Sequence, residues 1–293
     1  MKKGIVIRAF SNNPDFLGGA GFLSDLGQFE RCFAAAAALG FEGVQPYLDT
    51  EGFFSLQTEE QRLRAIAAAA RRAGVTLSSL EIQPFSYLLT ADDAEVRRNS
   101  LETVRRAMQV AAAMEIPAVL LIPGYVGLPW DPAVKPIRYD LAYDRTRQGL
   151  AELARDAERL GVSMLVENIW NKFLLSPLEM RSLVDEVGSS RVGVLLDTGN
   201  LIAFGYPEQW VRILGKRIRE VHVKDYRQAV GTVAGVVGLL EGDVDWPEVV
   251  ASLREIGYDG FLTAEVFPYR HYGDAVLRHT SESMDRILGI KTS

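Results

Sequence analysis

The chain has few of the residues and patterns that several protein classes require. Cys32 is its only cysteine, so one chain forms neither a disulfide framework nor a thiolate metal cage. Lys2 and Lys3 precede an apolar run of only Ile5–Ile7, and the Ala-rich stretches are too short to cross a bilayer. With a net charge of −6, the chain offers no basic surface to nucleic acid or to an anionic membrane. These absences predict a cytoplasmic protein without a signal peptide and without nucleic-acid or membrane partners.

Strand and helix signals alternate along the whole chain without a low-complexity linker. The predicted strands are Gly4–Arg8, Glu42–Gln45, Val75–Glu81, Pro117–Ile122, Val162–Glu167, Val192–Asp197, Ile218–Lys224 and Gly260–Glu265. Each is followed by a helix signal, and this count in 293 residues predicts an α/β fold, a (β/α)8 TIM barrel in one domain over residues 1–293. A doubly wound sheet is the alternative, but no G-x-G-x-x-G follows the first strand.

Four consecutive strands in the second half of the chain end in polar residues. The polar residues at or near these ends are Glu167, Asp197, His222 and Glu265. Because side chains alternate along a strand, residues two apart share a face, and the apolar neighbours of these four suit packing against outer helices. All four polar residues therefore face the barrel interior at the carboxyl end, where barrel enzymes carry their chemistry. The same alternation places Lys224 on the face of His222.

Three carboxylates crowded at one barrel mouth repel one another, and a divalent cation is the natural counter-charge. Any one of these residues alone is typical of a helix cap or a solvated charge. Their joint occurrence on four adjacent strands predicts one bound divalent cation. Mn²⁺ is the first expectation, and Mg²⁺, Co²⁺ and Zn²⁺ also suit carboxylate and imidazole ligands.

The sequence motifs at these strand ends resemble those of a known family. The segments Val166–Asn168, Leu196–Asn200, Val221–Asp225 and Ala264–Glu265 resemble the metal-site motifs of the xylose isomerase-like TIM barrels. The run DTGNLIAFG, then HVKD, then LEGDVDW, is similar to the L-ribulose- or L-xylulose-5-phosphate 3-epimerases. The chain departs from many relatives at Asn200, where they carry a histidine, and at Gln45, where they carry a glutamate.

The resemblance implies a metal-dependent isomerase or epimerase of a ketose or ketose phosphate. Glu167, Asp197, His222 and Glu265 would be the ligands. Glu167 and Glu265 would also transfer protons on opposite faces of the sugar, through a cis-enediolate. General chemistry agrees, because proton removal beside a carbonyl needs a nearby base and a cation that stabilises the new oxyanion.

Other polar residues near the strand ends are candidates for substrate binding. They are Asn168, Asn200, Lys224, Arg227 and Arg270. The two arginines, with glycines in the loop after the seventh strand, predict a phosphate site at the rim. The alternative is that these arginines are solvated and pair with acidic residues such as Asp225, Glu241 or Asp274.

Other functions are compatible with the same residues. An inosose dehydratase-like lyase would use the cation to assist loss of hydroxide, and a non-catalytic sugar- or metal-binding module would use it only for binding. The apurinic endonuclease of this superfamily is disfavoured, because its site is rich in histidine and this acidic chain has only three. The expected partner is a small sugar or sugar phosphate, and a homo-oligomer is compatible with the sequence.

Overall fold

The computed structural model describes residues 1–13 and 21–290. The strands are β1 (Lys2–Val6), β2 (Gly43–Gln45 and Tyr47–Leu48), β3 (Thr76–Leu77 and Leu80–Ile82), β4 (Ala118–Leu121), β5 (Ser163–Glu167), β6 (Val192–Asp197), β7 (Ile218–Val223) and β8 (Phe261–Ala264). The helices are α1 (Leu26–Ala38), α2 (Glu60–Ala73), α3 (Ala94–Ala113), α4 (Tyr139–Leu160), α5 (Pro177–Val187), α6 (Thr198–Leu201), α7 (Pro207–Leu214), α8 (Trp246–Glu255) and α9 (Ala275–Leu288).

The strands close into a ring in chain order. Each strand pairs in parallel with the next one along the chain. The ring closes because β8 pairs in parallel with β1, with Thr263 opposite Gly4. The fold is therefore the predicted (β/α)8 TIM barrel, with the helices outside the strands.

Two strands are interrupted: β2 continues past its predicted end at Gln45, and β3 breaks within its predicted run. In β2 the break falls at Pro46, which has no N–H to donate to the neighbouring strand, and pairing resumes at Tyr47. In β3 the predicted Val75–Glu81 run breaks at Ser78 and Ser79, which bond to Glu220 and Gln45 respectively. The hydroxyl groups of these two consecutive residues both find partners inside the barrel, so side chains do not alternate strictly at this point of β3.

The outer helices begin and end on recognisable signals. Asp25 caps α1 by accepting a hydrogen bond from the Gln28 N–H, and Ser176 caps α5, whose first residue is Pro177. Cys32 is buried in α1 against the apolar core, as its Ala-rich surroundings predict. Among the described residues, no helix has the length and apolar character needed to cross a membrane.

Candidate metal centre and substrate cavity

Four buried side chains converge at the carboxyl end of β5 to β8. They are Glu167, Asp197, His222 and Glu265, and one ligand atom from each lies within 4.8 Å of the others. His222 Nδ1 lies 3.1 Å from Glu265 Oε2, 3.4 Å from Glu167 Oε1 and 3.9 Å from Asp197 Oδ2. The structure thus brings together all four residues that the sequence predicts as ligands.

The motif after β6 holds Asp197 and the next strand in register. Asp197 Oδ1 caps α6 by accepting a hydrogen bond from the Asn200 N–H at 2.8 Å. The Thr198 hydroxyl donates to the Lys224 carbonyl at 2.8 Å and accepts from the Lys224 N–H at 3.1 Å. Gly199 packs so closely on Lys224 that a Cβ there would meet the lysine Cγ at 2.8 Å. This turn therefore needs glycine, and it leaves Asp197 Oδ2 to face the cluster.

Two asparagines connect β5 to β6 rather than only facing substrate. The Asn168 side chain donates to the Asp197 carbonyl and accepts from the Asp197 N–H, both at 3.1 Å. Asn200 Nδ2 donates to the Asn168 carbonyl at 3.0 Å, and its Oδ1 lies 3.3 Å from Lys224 Nζ. Asn200 also lines the cavity described below. Asn168 is thereby placed to position Asp197, and Asn200 to contact both protein and ligand.

Gln45 determines which nitrogen of His222 faces the cluster. Gln45 Nε2 donates to Ser79 Oγ at 2.7 Å, so its Oε1 is directed to His222 Nε2 at 3.0 Å. His222 Nε2 must then carry a proton and donate it to this oxygen, which leaves Nδ1 toward the three carboxylates. A neutral amide thus orients the imidazole at the place where many relatives have a carboxylate.

Two buried cations adjoin the carboxylates. Lys224 Nζ lies 2.9 Å from Asp197 Oδ2 and 2.7 Å from Glu265 Oε2. Arg8 Nη2 donates to Glu81 Oε1 at 2.9 Å and lies 3.4 Å from Glu265 Oε1. Lys224 is among the residues that the sequence predicts at this site, whereas Arg8 is not.

The residues present fit one divalent cation. The charged side chains linked to one another at the cluster, directly or through His222, are Glu81, Glu167, Asp197 and Glu265, with Arg8 and Lys224. With His222 neutral, four negative and two positive charges leave the group two charges negative, which one divalent cation neutralises. Asp197 Oδ2 is buried and accepts no hydrogen bond of good geometry. Lys224 Nζ, 2.9 Å away, offsets part of the cost of burying this carboxylate oxygen, and a cation ligated by it would offset more.

Burial and neighbouring charges shift the pKa of these groups in different directions. Burial raises the pKa of Asp197 to about 7, against the opposing effect of Lys224. Burial also disfavours ionised Glu265, but Lys224, His222 and Arg8 outweigh it and hold the pKa of this carboxyl well below its usual range. For His222, burial lowers the pKa, but hydrogen bonds to Glu167 and Glu265 outweigh it and raise the pKa well above its usual value. The metal-free cluster therefore holds a proton on His222.

A cavity opens above the cluster, and its two ends differ in character. The floor is polar and carries Arg8, Glu81, Glu167, Asn200, Lys224 and Glu265. The walls are largely apolar and include Tyr47, Phe85, Trp130, Ile169, Trp170 and Val233. This arrangement suits a small ligand whose polar groups react at the floor while its outer part lies against aromatic rings.

Among the described residues, neither of the two arginines predicted to bind phosphate lines this cavity. Arg227 is exposed and donates to the Glu241 carbonyl at 2.9 Å, and Arg270 is exposed in the segment after β8. Asp225, proposed from the sequence as an acidic partner for such rim charges, is fully buried instead. Its carboxylate accepts hydrogen bonds from N–H groups of its own loop.

Known proteins resemble this chain in sequence and in fold. The sequence profile described as "Xylose isomerase-like TIM barrel" matches residues 33–287. An uncharacterized protein of Methanocaldococcus jannaschii, MJ1311, is 30% identical over 189 residues, which cover 62% of this chain and 62% of that protein. The L-ribulose-5-phosphate 3-epimerase UlaE of Salmonella paratyphi C is 28% identical over 241 residues, covering 79% of this chain and 80% of that enzyme.

Solved structures show the same architecture. The crystal structure of D-psicose 3-epimerase in the presence of D-fructose matches with a TM-score of 0.77 at 20% identity, covering 99% of this chain and 100% of that chain. The molecule is thus a parallel barrel with an acidic cluster at its carboxyl end. It belongs to the xylose isomerase-like TIM barrel family, as its motifs predict. The match spans less than two thirds of the length of the Methanocaldococcus protein.

Proposed function

We propose that the protein is a divalent-metal-dependent 3-epimerase of a ketose, in which Glu167 and Glu265 transfer protons. The observation that carries this proposal is the placement of two buried carboxylates within 3.4 Å of one imidazole nitrogen at the cavity floor. The protein is an enzyme of the isomerase and epimerase class, like the L-ribulose-5-phosphate 3-epimerase and the D-psicose 3-epimerase that it resembles.

Glu167, Asp197, His222 and Glu265 would hold the cation, and we propose Mn²⁺ as the first metal to test. When bound, a divalent cation supplies positive charge that stabilises the oxyanion formed beside the substrate carbonyl. Gln45 holds the imidazole in the tautomer that ligation requires. Asn168 and the cap of α6 hold Asp197 in place.

The chain's own groups account for the proton movements. One glutamate removes the proton from the carbon next to the carbonyl, and the electron pair of that C–H bond forms the enediolate. The other glutamate, on the opposite face, returns a proton to the same carbon, which inverts its configuration. Lys224 and Asn200 offer donors to substrate oxygens at the floor, because both line the cavity. For the reverse epimer the two glutamates exchange roles.

The described walls of the cavity favour an unphosphorylated ketose over its phosphate. Aromatic and aliphatic side chains form the outer part, and Arg227 and Arg270 lie outside it. If the substrate is nevertheless a phosphate, the enzyme will prefer the phosphorylated ketose, and Arg227→Ala or Arg270→Ala will remove that preference.

The decisive experiment incubates the Mn²⁺-loaded enzyme with a panel of ketoses and ketose phosphates in D₂O. The proposal predicts the C3 epimer of at least one ketose, with one deuterium at C3. A product that has lost water would identify a dehydratase instead. If the whole panel shows no deuterium incorporation and no turnover, catalysis is contradicted and a sugar- or metal-binding module remains.

A further inference from the structure

Arg8 lies directly after β1, at the wall of the cavity. It belongs to a short 3-10 turn, Ile7–Phe10, and only 7% of its surface is exposed. Since β1 pairs with β8, this turn lies beside the segment that carries Glu265. Arg8 and Glu265 both line the cavity, together with Glu81 of β3.

The guanidinium of Arg8 is held on several sides. Its central carbon lies 4.8 Å from the ring centroid of Tyr47 and 5.5 Å from that of Phe267. Glu81 accepts a hydrogen bond from Nη2 at 2.9 Å. A planar guanidinium packed on aromatic rings and bonded to a carboxylate has few other orientations open to it. Arg8 therefore presents a fixed donor to Glu265.

The two oxygens of Glu265 consequently have different surroundings. Oε1 lies 3.4 Å from Arg8 Nη2. Oε2 lies 2.7 Å from Lys224 Nζ and 3.1 Å from His222 Nδ1, on the side of the proposed cation. Contacts on both oxygens oppose rotation of the carboxylate about its terminal bond.

We propose that Arg8, anchored by Glu81, is a positioning residue that orients the Glu265 carboxylate with Oε2 toward the cation and Oε1 toward the substrate. This inference rests on the proposed role of Glu265 as ligand and base. It differs from a role in charge balance alone, and the two roles predict opposite effects on metal affinity. Removing a positive charge strengthens cation binding, whereas loss of an oriented ligand weakens it.

The experiment measures the Kd for Mn²⁺ by titration calorimetry in the wild type, Arg8→Gln and Arg8→Lys. Positioning predicts a Kd raised on the order of 10-fold or more in Arg8→Gln, the scale seen when partners of metal ligands are lost. Arg8→Lys keeps the charge but lacks the planar fork, so we expect it to restore the affinity only in part. Arg62→Gln is the matched control, since Arg62 also packs on a ring, that of Phe53, but is exposed and away from the cavity.

Turnover gives a second readout. With saturating Mn²⁺, we expect kcat to fall on the order of 10-fold or more in both Arg8 variants, with KM changed little, because Arg8 acts through Glu265. An unchanged or lower Kd for Mn²⁺ in Arg8→Gln overturns the inference, as does full restoration by Arg8→Lys. If Arg8→Gln does not fold, a wild-type Kd and kcat in Arg8→Lys overturn it.

The two proposals can fail separately. If no ketose is epimerised while the Arg8 variants bind Mn²⁺ more weakly, the epimerase function is wrong and the positioning role stands. If the wild type epimerises a ketose and the Arg8 variants match it in Kd and kcat, only the positioning role is wrong. A wild-type chain that binds no Mn²⁺ overturns both.

Discussion

At the scale of single residues, the site depends on side chains that orient the proposed ligands. Gln45 is the clearest example, because it accepts from His222 Nε2 and is itself held by Ser79. A glutamate at this position would add a further negative charge to a cluster that one divalent cation already balances. The amide orients the imidazole without that charge.

Removal of the Gln45 amide tests this role. In Gln45→Leu the buried Nε2–H of His222 loses its acceptor, so both the tautomer and the ring orientation lose support. We expect the Kd for Mn²⁺ to rise about 10- to 100-fold. Gln45→Glu keeps an acceptor and serves as the comparison, with affinity at least equal to that of the wild type. Equal affinity in Gln45→Leu and the wild type would contradict the role.

The two proposed proton-transferring residues are tested by Glu167→Gln and Glu265→Gln. Glutamine keeps the size and one ligand oxygen but does not accept the proton. We expect each variant to lose on the order of 10²-fold or more in kcat, measured at Mn²⁺ concentrations shown by calorimetry to saturate the site. Near-normal turnover in metal-saturated Glu265→Gln would rule out the two-base scheme.

The alternation of side chains was enough to predict which residues meet at the barrel mouth in the second half of the chain. The same alternation places Arg8 on the face of the predicted first strand that also carries Gly4. That face is directed into the barrel, because Thr263, which lies opposite Gly4 on β8, bonds to the interior residue Glu220. Nothing in the sequence marks the role of Arg8, because its partner Glu81 lies 73 residues away on a strand with broken alternation. A lone charge at a strand end becomes informative only when its partner is known.

At the scale of elements, the regular strands were predictable and the interrupted ones were not. Strands β5 to β8 are each continuous, and their observed ends agree with the predicted ends within a residue. Pro46 and the pair Ser78–Ser79 divide β2 and β3, because a missing N–H and two inward hydroxyls change the local pairing. Those effects depend on neighbouring strands, which the sequence alone does not show.

The loop between β7 and α8 is organised by one buried carboxylate. Asp225 accepts hydrogen bonds from the N–H groups of Tyr226, Leu240 and Val244 and from the indole of Trp246. In Asp225→Asn, an NH₂ group would face two of these donors and leave them unpaired. We expect the free energy of unfolding to fall on the order of 3 kcal/mol, measured by urea denaturation. Asp243→Asn is the control with a smaller expected loss, because the exposed Asp243 carboxylate accepts one hydrogen bond from this loop, from the Gln228 N–H.

At the scale of the whole molecule, the proposed cation completes the charge balance of the barrel mouth. Four strands bring their carboxyl-end ligands into one buried cluster, so the metal-free fold bears the cost of that repulsion. A ligand that binds only the folded state stabilises it by mass action, about 2.7 kcal/mol at 100 times its Kd. We therefore expect Mn²⁺ at that concentration to raise Tm by about 5 °C, and excess chelator to reverse the rise. An unchanged Tm at saturating Mn²⁺ would contradict a metal site in this cluster.

The rise in Tm caused by Mn²⁺ should depend on pH, and the pKa values of the buried ligands determine whether it grows or shrinks as pH rises. Burial raises the pKa of Asp197 to about 7, and the pKa of His222 is raised because hydrogen bonds to Glu167 and Glu265 outweigh its burial. Because both folded-state pKa values lie above the unfolded ones, these two groups bind extra protons on folding. The stability that they contribute to the metal-free protein therefore declines as pH rises, from about 4 upward for Asp197 and from about 6.5 upward for His222. The cation needs these same groups deprotonated, so its binding strengthens over that range. We expect the difference in Tm between Mn²⁺-loaded and chelator-treated protein to increase from pH 5.5 to pH 8, and a constant or shrinking difference would show that the cation binds elsewhere.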